Sequence, residues 1–328
     1  MKTKHIKEKD LENPTIELCY NLNEEELNFL LIESIKRNNP VGVSLALEFG
    51  ASPKAKTGDD IPMSALRLAF NLDRPLIANL LLKEGANILE VDSGYFTIEE
   101  AFKENKTNCI PLIIKYLPHI DSVIHAGKGN LLSMASYNKN KPAIDLLISL
   151  GANPDGKCTV DDSFIEYEHG AINQVIISFE LTSEEKIDMI KFLISRGANM
   201  YGIFTDEIEY PHEIAAVFDA KILNWFYEIG MNLELKDRQA VLTASASQTT
   251  DSLELLYNLG FDLNVKNKEG IGGIEISIIS NKLQNLKFLI ERGVLYNKEE
   301  VLQLAADKKR KEIIEFLSNE KKAKPSKK

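Results

Sequence analysis

The sequence predicts an all-α repeat solenoid of about nine helix-turn-helix units, and three observations carry that prediction. A glycine followed by alanine or another apolar residue recurs at Gly50, Gly85, Gly151, Gly197, Gly230, Gly260 and Gly293. The intervals cluster near 33 residues, the scale of one small helical repeat. Before each stop lies a short run of large apolar residues, as in Leu80, Leu81 and Leu82 before Gly85, which suits a helix of two to three turns.

The best-defined unit opens with Ser64, Ala65, Leu66, Arg67, Leu68 and Ala69, continues through Leu80 to Leu82, and stops at Gly85-Ala86. A residue without Cβ takes the left-handed conformation at little cost, so glycine there ends the second helix at a fixed place. The register recurs at Asn130 to Ala135 with Leu146, Leu147 and Ile148, at Gln239 to Ala244 with Leu255, Leu256 and Tyr257, and at Gly272 to Ser277 with Phe288, Leu289 and Ile290. Between Gly85 and Gly151, a unit opening at Thr97 puts Pro118 at the stop, and proline also ends a helix. Trp225, Phe226 and Tyr227 fill the apolar triple of their unit and are expected in the core.

About ten residues of turn chemistry come after each stop, for example Asn264, Asn267 and Gly270, or Asp92, Ser93 and Gly94. They predict projecting, hairpin-like fingers. This arrangement resembles the ankyrin repeat, whose pattern is a turn, Thr-Pro-Leu-His-x-Ala, a second helix ending Leu-Leu, and Gly-Ala-Asp-Val-Asn. Gly260, Phe261, Asp262, Leu263, Asn264 and then Gly270 match the last part closely, and the resemblance covers residues 22–321. No unit keeps the intact Thr-Pro-Leu-His signature, and its histidine position holds Arg67, Ser133, Thr243 or Glu275. Tetratricopeptide repeats share the period but join their helices by short turns and lack the long segment after a Gly-Ala stop.

The ends read differently from the middle, as stacked repeats require if their terminal apolar faces are to be covered. Residues 1–22 form a lead-in, and Asn23 with Glu26 has the form of a capping box opening the first unit. At the far end Asn297 to Glu300 repeats that form too soon after Gly293 for a finger, and the last unit closes at Lys321. Stops at 50, 85, 118, 151, 197, 230, 260, 293 and 321 make nine units in an array over residues 23–321, with a basic tail over 322–328 that is expected to be disordered.

The interval from Gly151 to Gly197 exceeds the period, which places an insertion near residues 156–175. Insertions in repeat arrays fall in loops, often on the binding face. This one carries Asp161, Asp162, Phe164 and Tyr167, and the next finger carries Tyr201, Phe204, Asp206, Glu207, Glu209 and Tyr210. Two readings stand side by side. Exposed aromatics ringed by carboxylates would form a hot-spot patch for a basic partner, or Phe164, Tyr201 and Phe204 fold back over the loop's own core.

Composition excludes several classes of function. The 328-residue chain has a net charge of −10, which opposes general affinity for nucleic acid. No apolar run is long enough to span a bilayer, and the charged N-terminus has no secretory signal core. Three distant cysteines without metal spacing suit a reducing, cytoplasmic compartment, or a host cytoplasm for a delivered effector. His5, His119, His125, His169 and His212 are scattered, with no metal-type pairing; Gly270 to Gly273 lacks a phosphate loop's strand and Lys-Ser/Thr ending and reads as turn glycine.

No cofactor, metal or catalytic residue is therefore expected, and the chain is not expected to be an enzyme. The leading expectation is a protein-protein interaction scaffold, monomeric before it binds, that uses fingers and first-helix faces. The alternative is an effector-type inhibitor of phage or bacterial origin whose acidic surface blocks a nucleic-acid-binding host enzyme. It is suggested by the acidic charge and by rich Ile, Asn and Lys usage.

Overall fold

The computed structural model describes residues 6–92, 95–103, 105–122, 124, 129–155, 170–201, 211–235 and 238–320. They fall into two compact bodies, Met1–Ala171 and Ile172–Lys328. Two short helices lead in, α1 (Glu8–Glu12) and α2 (Ile16–Tyr20). The lead-in is thus folded as well as present. Leu11 and Cys19 are buried, Arg37 pairs with Glu8 at 2.7 Å, and Asn39 donates to the Glu12 carbonyl at 3.1 Å.

The first body continues with α3 (Glu24–Lys36) and α4 (Pro40–Glu48), then α5 (Ala65–Asn71) and α6 (Pro75–Lys83). A 3-10 helix, Thr97–Phe102, precedes α7 (Ile110–Tyr116), and then come α8 (Leu131–Tyr137) and α9 (Lys141–Ser149). Here α3 packs on α5 and α5 on the 3-10 helix, while α4 packs on α6. The second body holds α10 (Ala171–Ile177, which begins at the boundary) with α11 (Ser183–Ser195), and α12 (Pro211–Phe218) with α13 (Ala220–Glu228). It continues with α14 (Ala240–Ala244) and α15 (Asp251–Asn258), α16 (Gly273–Ile279) and α17 (Leu283–Glu291), and α18 (Lys298–Asp307) and α19 (Lys311–Asn319). Again like packs on like: α12 on α14, α14 on α16 and α16 on α18, with α11 on α13 and α13 on α15. Counting the 3-10 helix, the described residues form nine helical pairs, stacked in each body as an all-α repeat solenoid.

The recurrent glycines do what the pattern implies. All seven have φ between +81° and +108°. In each, the glycine N–H donates to the carbonyl three residues back and the next N–H to the carbonyl five back, as in Gly85 to Leu82 at 3.2 Å and Ala86 to Leu81 at 3.0 Å. This is the Schellman stop. The residue whose carbonyl accepts from the N–H five residues on is always buried: Ala46, Leu81, Leu147, Leu193, Phe226, Leu256 and Leu289.

A second stop, which the sequence does not advertise, closes many of the first helices. Asn38, Asp73, Lys139, Asn281 and Lys309 take φ of +51° to +59°, with the same double hydrogen bond, for example Lys309 to Ala306 at 3.0 Å and Arg310 to Ala305 at 2.9 Å. A side chain in that conformation costs about 1–2 kcal/mol. Lys309→Gly is accordingly expected to raise the urea midpoint of the chain, and Gly85→Ala, at φ +93° with open space around the added carbon, to lower stability by about 1–2 kcal/mol. Equal and opposite midpoint shifts are not required, but both signs are.

The expected capping box at Asn23 is present: Glu26 N–H donates to its side chain at 3.0 Å, and its own N–H donates to Glu26 at 3.2 Å. Thr182 and Glu185 repeat that exchange ahead of α11. Asn297 caps α18 more simply, accepting from Glu299 N–H at 3.1 Å. The triple at Trp225, Phe226 and Tyr227 departs from expectation. Phe226 is fully buried, but Trp225 is only half-buried and Tyr227 is exposed, because successive helical residues are about 100° apart and cannot share one buried face.

Where a glycine is required by close approach, the reason is visible at Gly273. A Cβ there would lie 2.6 Å from Ser245 Oγ and 3.1 Å from Leu289 Cδ1. Gly270, at φ +78°, closes the turn in which its N–H donates to Asn267 at 2.9 Å. These glycines build a finger-to-helix junction, in agreement with their reading as turn residues.

Candidate partner-binding surface

Four fingers lie among the described residues. The first is tied by a bridge between Lys56 and Ser64, with Thr57 N–H donating to the Met63 carbonyl at 2.8 Å and Met63 N–H to Thr57 Oγ1 at 3.0 Å. The second is a hairpin of β1 (Val91–Asp92) and β2 (Tyr95–Phe96), and the third a hairpin of β3 (Glu234–Leu235) and β4 (Arg238–Gln239). The fourth is closed by a bridge between Lys266 and Gly272.

Side-chain acceptors lock the bases of fingers and loops to the neighbouring repeat. Asn28 accepts from Ser52 N–H at 2.7 Å, Asp121 from Asn153 N–H at 3.1 Å, and Asn264 from Leu295 N–H at 2.9 Å. These bonds tie consecutive repeats together through backbone donors that would otherwise need other partners. Burial pushes the Asp121 carboxyl above its ordinary value, while the Asn153 N–H and nearby His119 work the other way. Burial also raises the thiols of Cys19 and Cys109, with the Asp73 charge adding at Cys109. Both stay protonated at neutral pH and are poor nucleophiles.

Of the residues singled out in the sequence, Asp161, Asp162, Phe164 and Tyr167 lie outside the described residues, as do Phe204, Asp206, Glu207, Glu209 and Tyr210. Tyr201 is described: it is half-buried, and its N–H donates to Asn199 Oδ1 at 3.0 Å. Of the expected insertion near 156–175, residues 156–169 are outside the described set, and α10 starts at Ala171.

The described fingers display another surface. Ile61 at the first finger is 69% exposed, next to exposed Asp59 and Asp60. Leu89 and Val91, on the approach to and first strand of the next finger, are also exposed, with Glu90 between them half-buried. Apolar side chains standing in water on consecutive fingers, beside carboxylates, have the makings of an interface core with a polar rim. Sequence reasoning passed over them because it tracked the irregular interval. The signal at hand was Ile61 itself, an apolar residue in the turn-rich stretch between Gly58 and Ser64.

The register of the missing signature histidine carries a buried ion pair instead. Arg67 donates to Glu100 Oε1 from Nε at 3.1 Å and from Nη2 at 2.9 Å, and the two side chains are 5% and 3% exposed. In the second body Lys186 and Asp219 approach to 3.5 Å in similarly buried positions. Among the described residues, no three of His, Cys, Asp and Glu are placed to hold a metal ion. No helix among them is long and apolar enough to cross a membrane.

Stacked helical pairs, glycine stops and projecting fingers define, in each body, an all-α repeat solenoid. No protein-family model matches the chain. No curated protein matches it either. Among solved structures it is similar to the crystal structure of the human ASB11 ankyrin repeat domain, at 14% identity and a TM-score of 0.39, over 81% of this chain and 99% of that one.

Proposed function

We propose that this protein is a non-enzymatic scaffold that holds a partner protein through its fingers and first-helix faces. The observation that carries the reading is the exposure of three apolar side chains, Ile61, Leu89 and Val91, on consecutive fingers, with Asp59 and Asp60 beside Ile61. Helical packing fixes the bases of those fingers, so their tips are presented with little ordering cost on binding. The carboxylates favour a partner with a basic rim, and a protein that itself binds nucleic acid fits that description.

The acidic, aromatic segments around Asp161, Asp162, Phe164 and Tyr167, and around Phe204, Asp206, Glu207, Glu209 and Tyr210, with Tyr201, belong to the same proposal as two further contact segments, one in each body. The protein would be monomeric before it meets its partner.

The test is affinity capture from the native cell, with the captured protein's affinity then measured for variants of the full chain. Ile61→Asp with Val91→Asp is expected to weaken binding about tenfold or more, as for central interface residues, with the helical circular dichroism unchanged. Charge reversal at Asp161 and Asp162, and in a separate variant at Asp206 and Glu207, tests each of these segments by itself. A partner whose affinity survives all of these changes removes the finger surface from consideration.

A further inference from the structure

The last two second-position helices, α17 and α19, border an open, shallow cleft of about 510 Å³. Leu283 and Phe316 supply its apolar lining, and Glu312, Glu315 and Glu320 supply three carboxylates. One cation, Lys287, also lines it, and its ammonium sits 5.4 Å from the centre of the Phe316 ring, engaged with that face. Glu312 and Glu315 are exposed and take no hydrogen bond or ion pair among the described residues. The cleft is half apolar and strongly acidic.

The chain leaves α19 at the rim of this cleft. Glu320 is held in place by the Tyr296 hydroxyl, which donates to its carboxylate, and by Lys298 Nζ, which donates to its carbonyl at 2.6 Å. Its backbone has left the helical region, at φ −70° and ψ 116°, so the chain turns off the helix axis there. Beyond Glu320 the sequence runs Lys321, Lys322, Ala323, Lys324, Pro325, Ser326, Lys327 and Lys328, outside the described residues. This tail carries five lysines and no acid.

We infer that this basic tail folds back into the α17–α19 cleft of its own chain, with its lysines against Glu312 and Glu315 and its aliphatic stems along Phe316 and Leu283. Three observations select this occupant. The charges are complementary, the attachment point is fixed at the cleft's rim, and the length suffices. From Glu320 back to Glu312 is about 12 Å along a helix, whereas eight residues in extended form reach roughly 26 Å. Pro325 opposes a helical continuation and favours an extended strand. Lysine stems cover apolar surface while their heads stay near solvent, which matches a cleft with an apolar lining and acidic walls. This inference does not rest on the finger surface.

The experiment uses the full chain. Carbodiimide treatment of an equal mixture of nitrogen-14 and nitrogen-15 copies, read by mass spectrometry, is expected to join tail lysines to Glu312, Glu315 or Glu320 within single copies. Trypsin cleavage within the tail is expected to accelerate in high salt and in the Glu312→Lys, Glu315→Lys variant, but not in Glu312→Asp, Glu315→Asp. Mixed-isotope products would assign the cleft to a second copy and overturn the inference. So would crosslinks scattered over other carboxylates, which would leave the cleft open to a foreign basic peptide. A cleavage rate indifferent to salt in the unaltered chain overturns it without recourse to any variant.

Discussion

Glu100→Ala is expected to destabilise the chain by about 3–5 kcal/mol, because it removes the carboxylate that compensates a guanidinium the fold has taken out of water. Arg67 gives two donors to one Glu100 oxygen, at 3.1 and 2.9 Å, and Lys103 Nζ reaches the same oxygen at 3.2 Å. Lys103 is partly exposed and can rehydrate when the carboxylate goes. Arg67 cannot, since its side chain is 5% exposed between α5 and the 3-10 helix. The companion double change, Arg67→Met with Glu100→Leu, removes both charges and keeps volume in place, and buried pairs replaced in this way often cost nothing or gain stability. Urea unfolding of the two single variants and the double variant, read as a thermodynamic cycle, checks both parts. A single-variant loss below about 1 kcal/mol would place the pair with weak surface bridges and contradict its burial.

That pair also shows how far the sequence could be read. Arg67 stands where the family pattern has histidine, and Glu100 occupies the same register one repeat later, 33 residues on. Opposite charges at that offset, read with the period already in hand, pointed to an inter-repeat contact. Lys186 and Asp219 carry the same signal. The glycine stops were legible because only glycine takes φ near +100° without strain. The stops at Lys139 and Lys309 were not, since lysine has no preference for the left-handed region and is held there by the packing of the helices on either side. The finger surface was legible as a location and illegible in detail. Turn residues announce where a finger projects, but whether Ile61 points to solvent or into a core depends on the neighbouring finger, and the repeat pattern says nothing of it.

The aromatic triple in α13 gives the second large effect and the sharpest contrast within one helix. Phe226→Ala is expected to cost about 3–5 kcal/mol, the range for deleting a fully buried ring from a close-packed core. Its side chain is 0% exposed, and its carbonyl accepts the Met231 N–H at 2.9 Å in the stop that ends the helix. The cavity would therefore open directly beneath the helix terminus. Trp225, one step round the helix, is half-buried, with Lys191 of α11 lying 5.6 Å from its ring centre. Tyr227, one step the other way, is 42% exposed and meets Phe261 edge-on at 6.1 Å. Replacing either by alanine forfeits partial burial and weak ring contacts, for Trp225 also that with Phe226 at 5.2 Å, together about 1–2 kcal/mol. A further cation-ring contact lies at Tyr257, where the Arg292 guanidinium is 4.9 Å from the ring centre. Three alanine variants, each unfolded by urea, separate the roles. Similar losses at Trp225, Phe226 and Tyr227 would mean that the helix buries all three rings, and the inward direction assigned to Phe226 alone would be wrong.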